Sequence, residues 1–384
     1  MRRVVLPALL LLSAAAPEQV ALDTLAPDAE ARWIAFELTP ANQIRFSAKV
    51  DGQPVSAILD TGVSTSLLSR SFVDRTKLRI RPGPAAVAIG GTVASGWVDV
   101  REFAIGALTR HRAQLATAAL PDAATGGAAV DLLVGRDLTQ GYALDVDYDA
   151  RRFRLLPSGR LPFRGSTAPL RVAGTWPGYV TEISIGDRAI ARMAVDTGDG
   201  SAVTLTHNAW AMLPEARRAT TSTIAFGIGG ASVVDLAIVP LLRSATPTAR
   251  AVEVRVEPRG GYTEAIGMNG RIGSGFLAGY RVLLDPGAGR MVLSPGTQAD
   301  ALPLRSTSGL ILRAEADRLS VLHVMRGGPA ESSGWRAGEQ ICRVDDAAIT
   351  RDAPLTWPVD HPGRAVRLGL CNGATRTLTL RHFY

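Results

Sequence analysis

The chain has 384 residues and a formal net charge of +7, with 46% hydrophobic and 20% charged residues. This length suits two or three domains, and this composition excludes a disordered chain, a collagen-like fibre and a coiled coil. The 39 glycines and 23 prolines interrupt the apolar stretches, most of which are about five to eight residues long, as strands are. We therefore predict a mostly β protein.

The positive charge does not indicate a nucleic-acid partner. Arginines lie singly between apolar and acidic residues, and only 5% of the residues are aromatic. A nucleic-acid surface needs basic residues clustered in a stripe, with aromatic side chains between them. We interpret the arginines as a solvated surface and expect no nucleic-acid partner.

The N-terminus has the residue order of a secretory signal. Arg2 and Arg3 precede an apolar run at residues 4–12, which is followed by small residues at 13–16. The run is too short to span a bilayer. We predict a signal peptide at residues 1–16 and export to a periplasmic or extracellular location, with a membrane anchor only if the signal stays uncleaved. Elsewhere the sequence offers no stretch for a stable membrane span.

The two cysteines, Cys342 and Cys371, lie in the last fifth of the chain. In an oxidising compartment they could form a disulfide, and buried free thiols are equally compatible with the sequence. Both alternatives stay open at this point.

An internal repeat covers the first three-quarters of the chain. AILDTGVSTSL at residues 57–67 recurs as MAVDTGDGSAV at 193–203, and LLVGRDLTQGYALDVD at 132–147 recurs as RIGSGFLAGYRVLLD at 271–285. Each copy reads as an apolar hairpin that leads into Asp-Thr-Gly. A linker rich in Pro, Gly and Ser joins the copies, and the pattern changes after Pro303. We predict two β units, residues 30–157 and 166–297, and a third domain at residues 304–384.

The repeated Asp-Thr-Gly carries the candidate chemistry. Asp60 and Asp196 each follow an apolar strand, and a pseudo-two-fold axis between the copies would bring their carboxylates together. Two such carboxylates would share one proton. One could then act as a general base on water while the protonated partner polarises a carbonyl oxygen. The turns would be shaped by hydrogen bonds from threonine and by the small size of glycine, at Thr61, Gly62, Thr197 and Gly198.

These residues resemble the retropepsin-type aspartic proteases, fused head to tail as in a pepsin-like chain. The resemblance rests on Asp-Thr-Gly at residues 60–62 and 196–198 and on the later elements at 133–135 and 271–273. It implies two β-barrel lobes in tandem and a peptide or unfolded protein substrate. We expect neither a metal nor a cofactor, because no two histidines have metal-ligand spacing and no helical pattern follows the glycine cluster at residues 227–230. The resemblance also implies a mobile flap with a glycine-rich tip in each copy. The flap and substrate-binding residues would be Ile89, Gly90 and Gly91 in the first copy and Gly227, Ile228, Gly229 and Gly230 in the second.

The second copy departs from the family pattern. Asp199 stands where a small residue is usual, and Arg271 stands where the family has an apolar residue. An inward Asp199 would raise the proton affinity of the pair, and an outward one would contact substrate. Our hypothesis is an exported aspartic endopeptidase that works through Asp60 and Asp196. The alternative is a non-catalytic peptide-binding protein on a degenerate protease scaffold.

The last domain resembles the PDZ domains of bacterial proteases. The resemblance rests on residues 320–344, in which Gly328-Pro329-Ala330 marks a helix start and Gly334 its end. It implies a small α/β domain that binds a peptide C-terminus by adding a strand to its sheet edge. The loop for the peptide carboxylate would consist of Ser308, Gly309, Leu310 and Ile311.

Overall fold

The computed structural model describes residues 22–127, 129–172, 178–244, 248–350 and 355–384. The predicted signal peptide at residues 1–16 lies outside these ranges. The described chain is mostly β, which confirms the predicted fold class. Its longest helix, Arg70–Thr76, has only two turns. Within the described residues, no helix combines the length and apolarity needed to cross a membrane.

The first part of the chain consists of β1 (Leu22–Leu25), β2 (Ile34–Leu38), β3 (Ile44–Val50), β4 (Gln53–Leu59), β5 (Leu67–Ser69), α1 (Arg70–Thr76), β6 (Arg81–Pro82), β7 (Ala86–Ala88), β8 (Gly91–Val93), β9 (Gly96–Ile105), β10 (Leu108–Ala118), β11 (Leu132–Val134), α2 (Arg136–Thr139), β12 (Tyr142–Asp147) and β13 (Arg152–Pro157). The chain also makes short 3-10 helices at Ala29–Ala31, Asp122–Thr125, Pro214–Arg217 and Trp357–Val359.

A closed ring of strands, which we call the first barrel, forms the centre of this part. In the ring β3 pairs with β4, β4 with β11, β11 with β5, β5 with β10, β10 with β9, and β9 again with β3. The strands alternate apolar and polar residues: in β3, Ile44, Phe46, Ala48 and Val50 are buried while Arg45, Ser47 and Lys49 reach the surface. Because the side chains alternate with a period of two residues, one face of each strand points into the barrel.

The second part consists of β14 (Ser166–Pro169), β15 (Arg171–Val172), β16 (Tyr179–Ile185), β17 (Arg188–Asp196), β18 (Val203–Leu205), α3 (His207–Ala211), β19 (Thr221–Gly227), β20 (Gly230–Arg243), β21 (Thr248–Val256), α4 (Tyr262–Ala265), β22 (Gly270–Gly273), α5 (Ser274–Leu277), β23 (Tyr280–Asp285) and β24 (Arg290–Pro295).

The second barrel repeats the pairing order of the first. Here β16 pairs with β17, β17 with β22, β22 with β18, β18 with β21, β21 with β20, and β20 with β16. Between the barrels, β12 and β23 pair antiparallel, with Leu144 opposite Leu284. One apolar core runs through both barrels, because buried residues such as Phe46 and Val254 belong to the same cluster.

The C-terminal unit consists of β25 (Leu310–Ala314), β26 (Leu319–Val324), α6 (Pro329–Ser332), β27 (Gln340–Val344), β28 (Ala347–Ala348), β29 (Ala365–Leu370) and β30 (Thr375–Thr379). Its sheet has the order β25-β26-β27-β29-β30, so β25 is an edge strand. It has its own core, which includes Trp335, Ile341 and Leu368. Cys342 and Cys371 form a disulfide, so the structure selects one of the two alternatives that the sequence left open.

The C-terminal unit contacts the long hairpin β19–β20. The guanidinium of Arg326 donates to Asp235 (3.0 Å), and the backbone N–H of Arg326 donates to the hydroxyl of Ser222 (3.1 Å). His323 Nε2 lies 2.8 Å from the same Ser222 hydroxyl, and Thr221 Oγ1 donates to the carbonyl of Arg326 (2.7 Å). The unit is therefore joined to the strand that leads to the second predicted flap tip.

Candidate active site

The two barrels bring the Asp-Thr-Gly turns together. Strand β4 leads directly into Asp60, and Asp196 is the last residue of β17. The carboxylate of Asp196 lies against Gly62, and that of Asp60 lies against Gly198, so closely that a Cβ on either glycine would overlap the opposite carboxylate. Both carboxylates line one cavity of about 310 Å³. Glycine is thus required at both positions for the two acids to approach each other.

Reciprocal hydrogen bonds from the two threonines hold the turns. Thr61 Oγ1 donates to the carbonyl of Val195 (2.7 Å) and accepts from the N–H of Thr197 (3.0 Å). Thr197 Oγ1 donates to the carbonyl of Leu59 (2.8 Å) and accepts from the N–H of Thr61 (3.0 Å). Both threonines are buried. The backbones of the two turns are therefore fixed relative to each other by bonds that cross between the barrels.

The surroundings of the two acids raise their proton affinity. Burial, followed by the negative charge of Asp196, holds the pKa of Asp60 well above its usual range. Burial and the charge of Asp199 raise the pKa of Asp196 to about 6, although Arg271 and the backbone N–H groups of Gly198 and Asp199 work against this rise. The pair can therefore keep one proton and one negative charge over a wide pH range.

Asp199 and Arg271, the departures seen in the sequence, are partners in the folded protein. Arg271 Nε donates to Asp199 Oδ2 (3.0 Å), and Arg271 Nη1 donates to Glu257 Oε1 (2.7 Å) and to Thr263 Oγ1 (2.6 Å). All four residues are buried. Burial opposes the ionisation of Asp199, but the charges of Arg271 and Arg255 outweigh it and lower the pKa of Asp199 to about 2. Glu257 and Thr263 were not predicted from the sequence: Glu257 follows β21, which reaches β22 only through β18, and Thr263 lies in the short helix α4.

Two glycine-tipped hairpins meet above the acids. Ile89 and Gly90 join β7 to β8, and Ile228 and Gly229 join β19 to β20. The N–H of Gly229 donates to the carbonyl of Ile89 (3.0 Å). The remaining predicted flap residues, Gly91, Gly227 and Gly230, begin or end the strands beside these tips.

The cavity below the hairpins is largely apolar on the side of the first barrel. Besides the two acids, its lining includes Val63, Leu67, Trp97, Leu133 and Ile228. A smaller cavity of about 210 Å³ lies on the side of the second barrel. Its lining includes the charged side chains of Asp199, Arg255, Glu257 and Arg271 together with apolar ones such as Phe226.

The predicted carboxylate loop lies in the C-terminal unit and does not contribute to this cleft. The backbone N–H of Ser308 donates to the carbonyl of Pro358 (3.1 Å). The N–H groups of Gly309 and Leu310 donate to the hydroxyls of Ser306 (3.0 Å) and Ser308 (3.1 Å). Ile311 follows in the edge strand β25. The role of this loop in binding a peptide stays a prediction.

Within the described residues, no three His, Cys, Asp or Glu side chains are grouped so that they could hold a metal ion.

Comparison with known proteins bears on the first barrel. A family model described as aspartyl protease matches residues 46–138. These residues are similar to the aspartyl proteases. The match includes the turn with Asp60, Thr61 and Gly62, the hairpin of β7 and β8, and β11 beside the turn. This similarity supports a protease function.

A solved structure described as EIAV protease complexed with the inhibitor HBY-793 is 22% identical over the aligned part. The match covers 26% of this chain and 86% of that chain, with a TM-score of 0.22. No curated protein matches the chain.

Proposed function

We propose that the protein is an exported aspartic endopeptidase, in which Asp60 and Asp196 activate a water molecule to hydrolyse a peptide bond. One observation carries the proposal: a buried and a half-buried carboxylate, each on an Asp-Thr-Gly turn, face each other in a single cavity under two hairpins. The similarity of residues 46–138 to the aspartyl proteases supports it. The raised proton affinity of both acids suits a pair that holds one proton between them.

The proposed reaction needs one ionised and one protonated carboxyl. The water oxygen forms a bond to the carbonyl carbon, one water proton passes to the ionised carboxylate, and the protonated carboxyl gives its proton to the carbonyl oxygen. The C–N bond then breaks. The nitrogen takes the proton from the carboxyl that received it from water. A hydroxyl of the intermediate returns a proton to the carboxylate that had protonated the carbonyl oxygen. A carboxylic acid and an amine leave, and the pair regains its starting state.

The cleft suits an extended peptide under the two hairpins. Closed hairpin tips would exclude bulk water and hold the scissile bond against the acids. The apolar lining around Val63, Leu133 and Ile228 favours an apolar side chain next to the scissile bond. We propose peptides or unfolded proteins as substrates.

Two further parts of the proposal concern location and the C-terminal unit. The signal-like residues 1–16 and the disulfide between Cys342 and Cys371 support export, because structural disulfides persist in oxidising compartments. The free edge of β25 supports a PDZ-like role in which a peptide C-terminus adds a strand to the sheet.

Asparagine variants of the two acids test the proposed reaction. The purified protein is incubated with a mixed peptide library from about pH 3 to about pH 8, a range that spans the usual carboxyl and histidine pKa values, and new termini are identified by mass spectrometry. Asp60→Asn and Asp196→Asn should each lower kcat/KM by about a thousandfold or more, because each removes one half of the acid–base pair.

The exposed Asp187 in the turn between β16 and β17 provides a matched control. Asp187→Asn should leave cleavage unchanged, and circular dichroism should show that all three variants are folded. Activity retained by either active-site variant would refute the pair. Peptide binding without new termini at any pH would favour the non-catalytic alternative.

A further inference from the structure

Because the chain contains an internal repeat, the surroundings of Asp60 and Asp196 can be compared at equivalent positions of the two barrels. In the first barrel, Val63 follows the Asp-Thr-Gly turn and packs with Leu133 in an apolar cluster. The corresponding residues of the second barrel are Asp199 and Arg271, which form an ion pair. One acid of the pair thus lies beside an apolar cluster and the other beside a buried set of charges.

The guanidinium of Arg271, which extends from β22, lies next to the carboxylate of Asp196. Its Nε lies 3.5 Å from Asp196 Oδ2, and its side chain is 3% exposed. The hydrogen bonds to Asp199, Glu257 and Thr263 fix its position. The ring of Tyr262 lies 5.3 Å from the guanidinium carbon and covers it on another side. A guanidinium held this way cannot turn toward solvent, so its charge acts on Asp196 permanently.

Asp60 has no such neighbour. Among the described residues, no cation lies within ion-pair distance of its carboxylate. A positive charge within a few Å favours the ionised form of an acid, and the effect grows when water is excluded. The asymmetric placement of Arg271 therefore favours the negative charge on Asp196 and the proton on Asp60.

Other charges also face Asp196. The charge of Asp199 opposes the ionisation of Asp196 more strongly than Arg271 favours it, so Arg271 limits the rise in proton affinity that burial and Asp199 cause. Asp60 has no cation in the described part of the chain that limits its own rise in this way. Glu257 is held by the same guanidinium. Charged or titratable groups from several elements face Asp196 or its cation. Asp60 comes from the first barrel, Asp199 from the same turn and Arg271 from β22. Tyr262 comes from α4, Arg255 from β21, and Glu257 directly follows β21.

We propose that Arg271 is a positioning residue that makes Asp196 the general base for the attacking water and leaves Asp60 as the acid that carries the shared proton. This inference rests on the proposed function, since it assigns the two roles of that reaction. In the first step a water proton moves to Asp196, and the proton of Asp60 moves to the carbonyl oxygen. Arg271 itself exchanges no proton and does not touch the substrate.

The test compares the pH profile of kcat/KM of four variants with that of the unaltered protein. Arg271→Gln removes the charge, and Arg271→Lys keeps it. A triple variant, Asp199→Val with Arg271→Leu and Glu257→Gln, gives the second barrel the apolar surroundings of the first without leaving an unpaired charge. Arg281→Gln is the control, because it removes a partly buried arginine whose partner Asp145 remains bound to Arg154.

The acidic limb of the profile should report Asp196, which must be ionised to act as a base. Without the cation its proton affinity rises, so the limb should move to higher pH by about one unit or more in Arg271→Gln. The triple variant also removes Asp199, whose charge opposes that of Arg271 at Asp196, so its limb should lie at lower pH than the limb of Arg271→Gln. Arg271→Lys should restore the limb to within about half a unit of the original, and Arg281→Gln should not move it. A uniform loss of activity with an unmoved limb would overturn the inference, because a purely structural role predicts that result.

A second readout does not need turnover. With ¹³C-labelled aspartate, the carboxyl resonance of Asp196 should titrate at higher pH in Arg271→Gln than in the unaltered protein, whereas the control should not change. If the unaltered protein cleaves nothing, the proposed function fails, and this titration still decides whether Arg271 sets the ionisation of Asp196. An unchanged titration of Asp196 would overturn the inference even in an active enzyme.

Discussion

At the scale of single residues, the hydroxyls of Thr61 and Thr197 each form hydrogen bonds with backbone groups of the other barrel. Replacing Thr61 by the isosteric valine leaves the carbonyl of Val195 and the N–H of Thr197 without partners in a buried place. Thr61→Val should therefore lower the free energy of unfolding by about 1–3 kcal/mol, the usual cost of unsatisfied buried groups.

Urea denaturation measures this loss, and Thr61→Ser is the matched control. Serine keeps the hydroxyl and removes only a methyl group, so it should cost about 1 kcal/mol or less. Equal destabilisation by valine and serine would show that packing of the methyl group, and not the hydrogen bonds, holds the turns together.

The same scale shows what single residues in a sequence can and cannot predict. The paired Asp-Thr-Gly motifs indicated Asp60 and Asp196, because a repeated motif in a repeated context is improbable by chance. The partnership of Asp199 and Arg271 was not predictable, because 71 residues separate them along the chain and only the pairing of β22 with β17 and β18 brings them together. Read singly, each looked like a defect of the second copy.

At the scale of elements, the two glycine-tipped hairpins, β7–β8 and β19–β20, are joined by a backbone contact at their tips. A Cβ on Gly229 would come 2.5 Å from the N–H nitrogen of Gly91 and 2.8 Å from the carbonyl oxygen of Ile89. Gly229→Ala should force the tips apart and raise KM for a cleaved peptide about tenfold, because the hairpins no longer close over the bound peptide. Steady-state kinetics give KM, and hydrogen exchange should show faster exchange of the Gly229 N–H.

Gly141 offers a control for this substitution, since a Cβ there would meet nothing within 4 Å. Gly141→Ala should change neither KM nor exchange at the hairpin tips. If Gly229→Ala behaves like Gly141→Ala, the contact between the tips has no part in substrate binding.

The sequence predicted an apolar hairpin before each Asp-Thr-Gly but not how the strands close into a barrel. The first of these hairpins is formed by β3 and β4. Alternation along a strand reports which face is buried, but it does not name the partner strand. The closure of β3 on β9 and the pairing of β12 with β23 between the barrels depend on distant segments and came only from the structure.

At the scale of the whole molecule, the C-terminal unit contacts β19, the strand that leads to the predicted second flap tip. Arg326 is the main link: its guanidinium donates to Thr220 Oγ1 (3.1 Å), to the carbonyl of Thr221 (3.2 Å) and to Asp235 Oδ1 (3.0 Å). Arg326→Ala removes these three hydrogen bonds and leaves the core of each part intact. We expect amides of β19 to exchange about tenfold faster in the variant, because loss of charge-assisted bonds of this kind costs about 1–3 kcal/mol.

Arg367→Ala is the matched control for this last prediction. Its side chain is 54% exposed and pairs with Asp346 inside the C-terminal unit, away from β19. Exposed ion pairs contribute little, so exchange in β19 should not change. Accelerated exchange in β19 confined to Arg326→Ala would mean that anything that shifts the C-terminal unit also shifts the flap. Exchange unaltered in both variants would mean that the two parts touch without mechanical coupling.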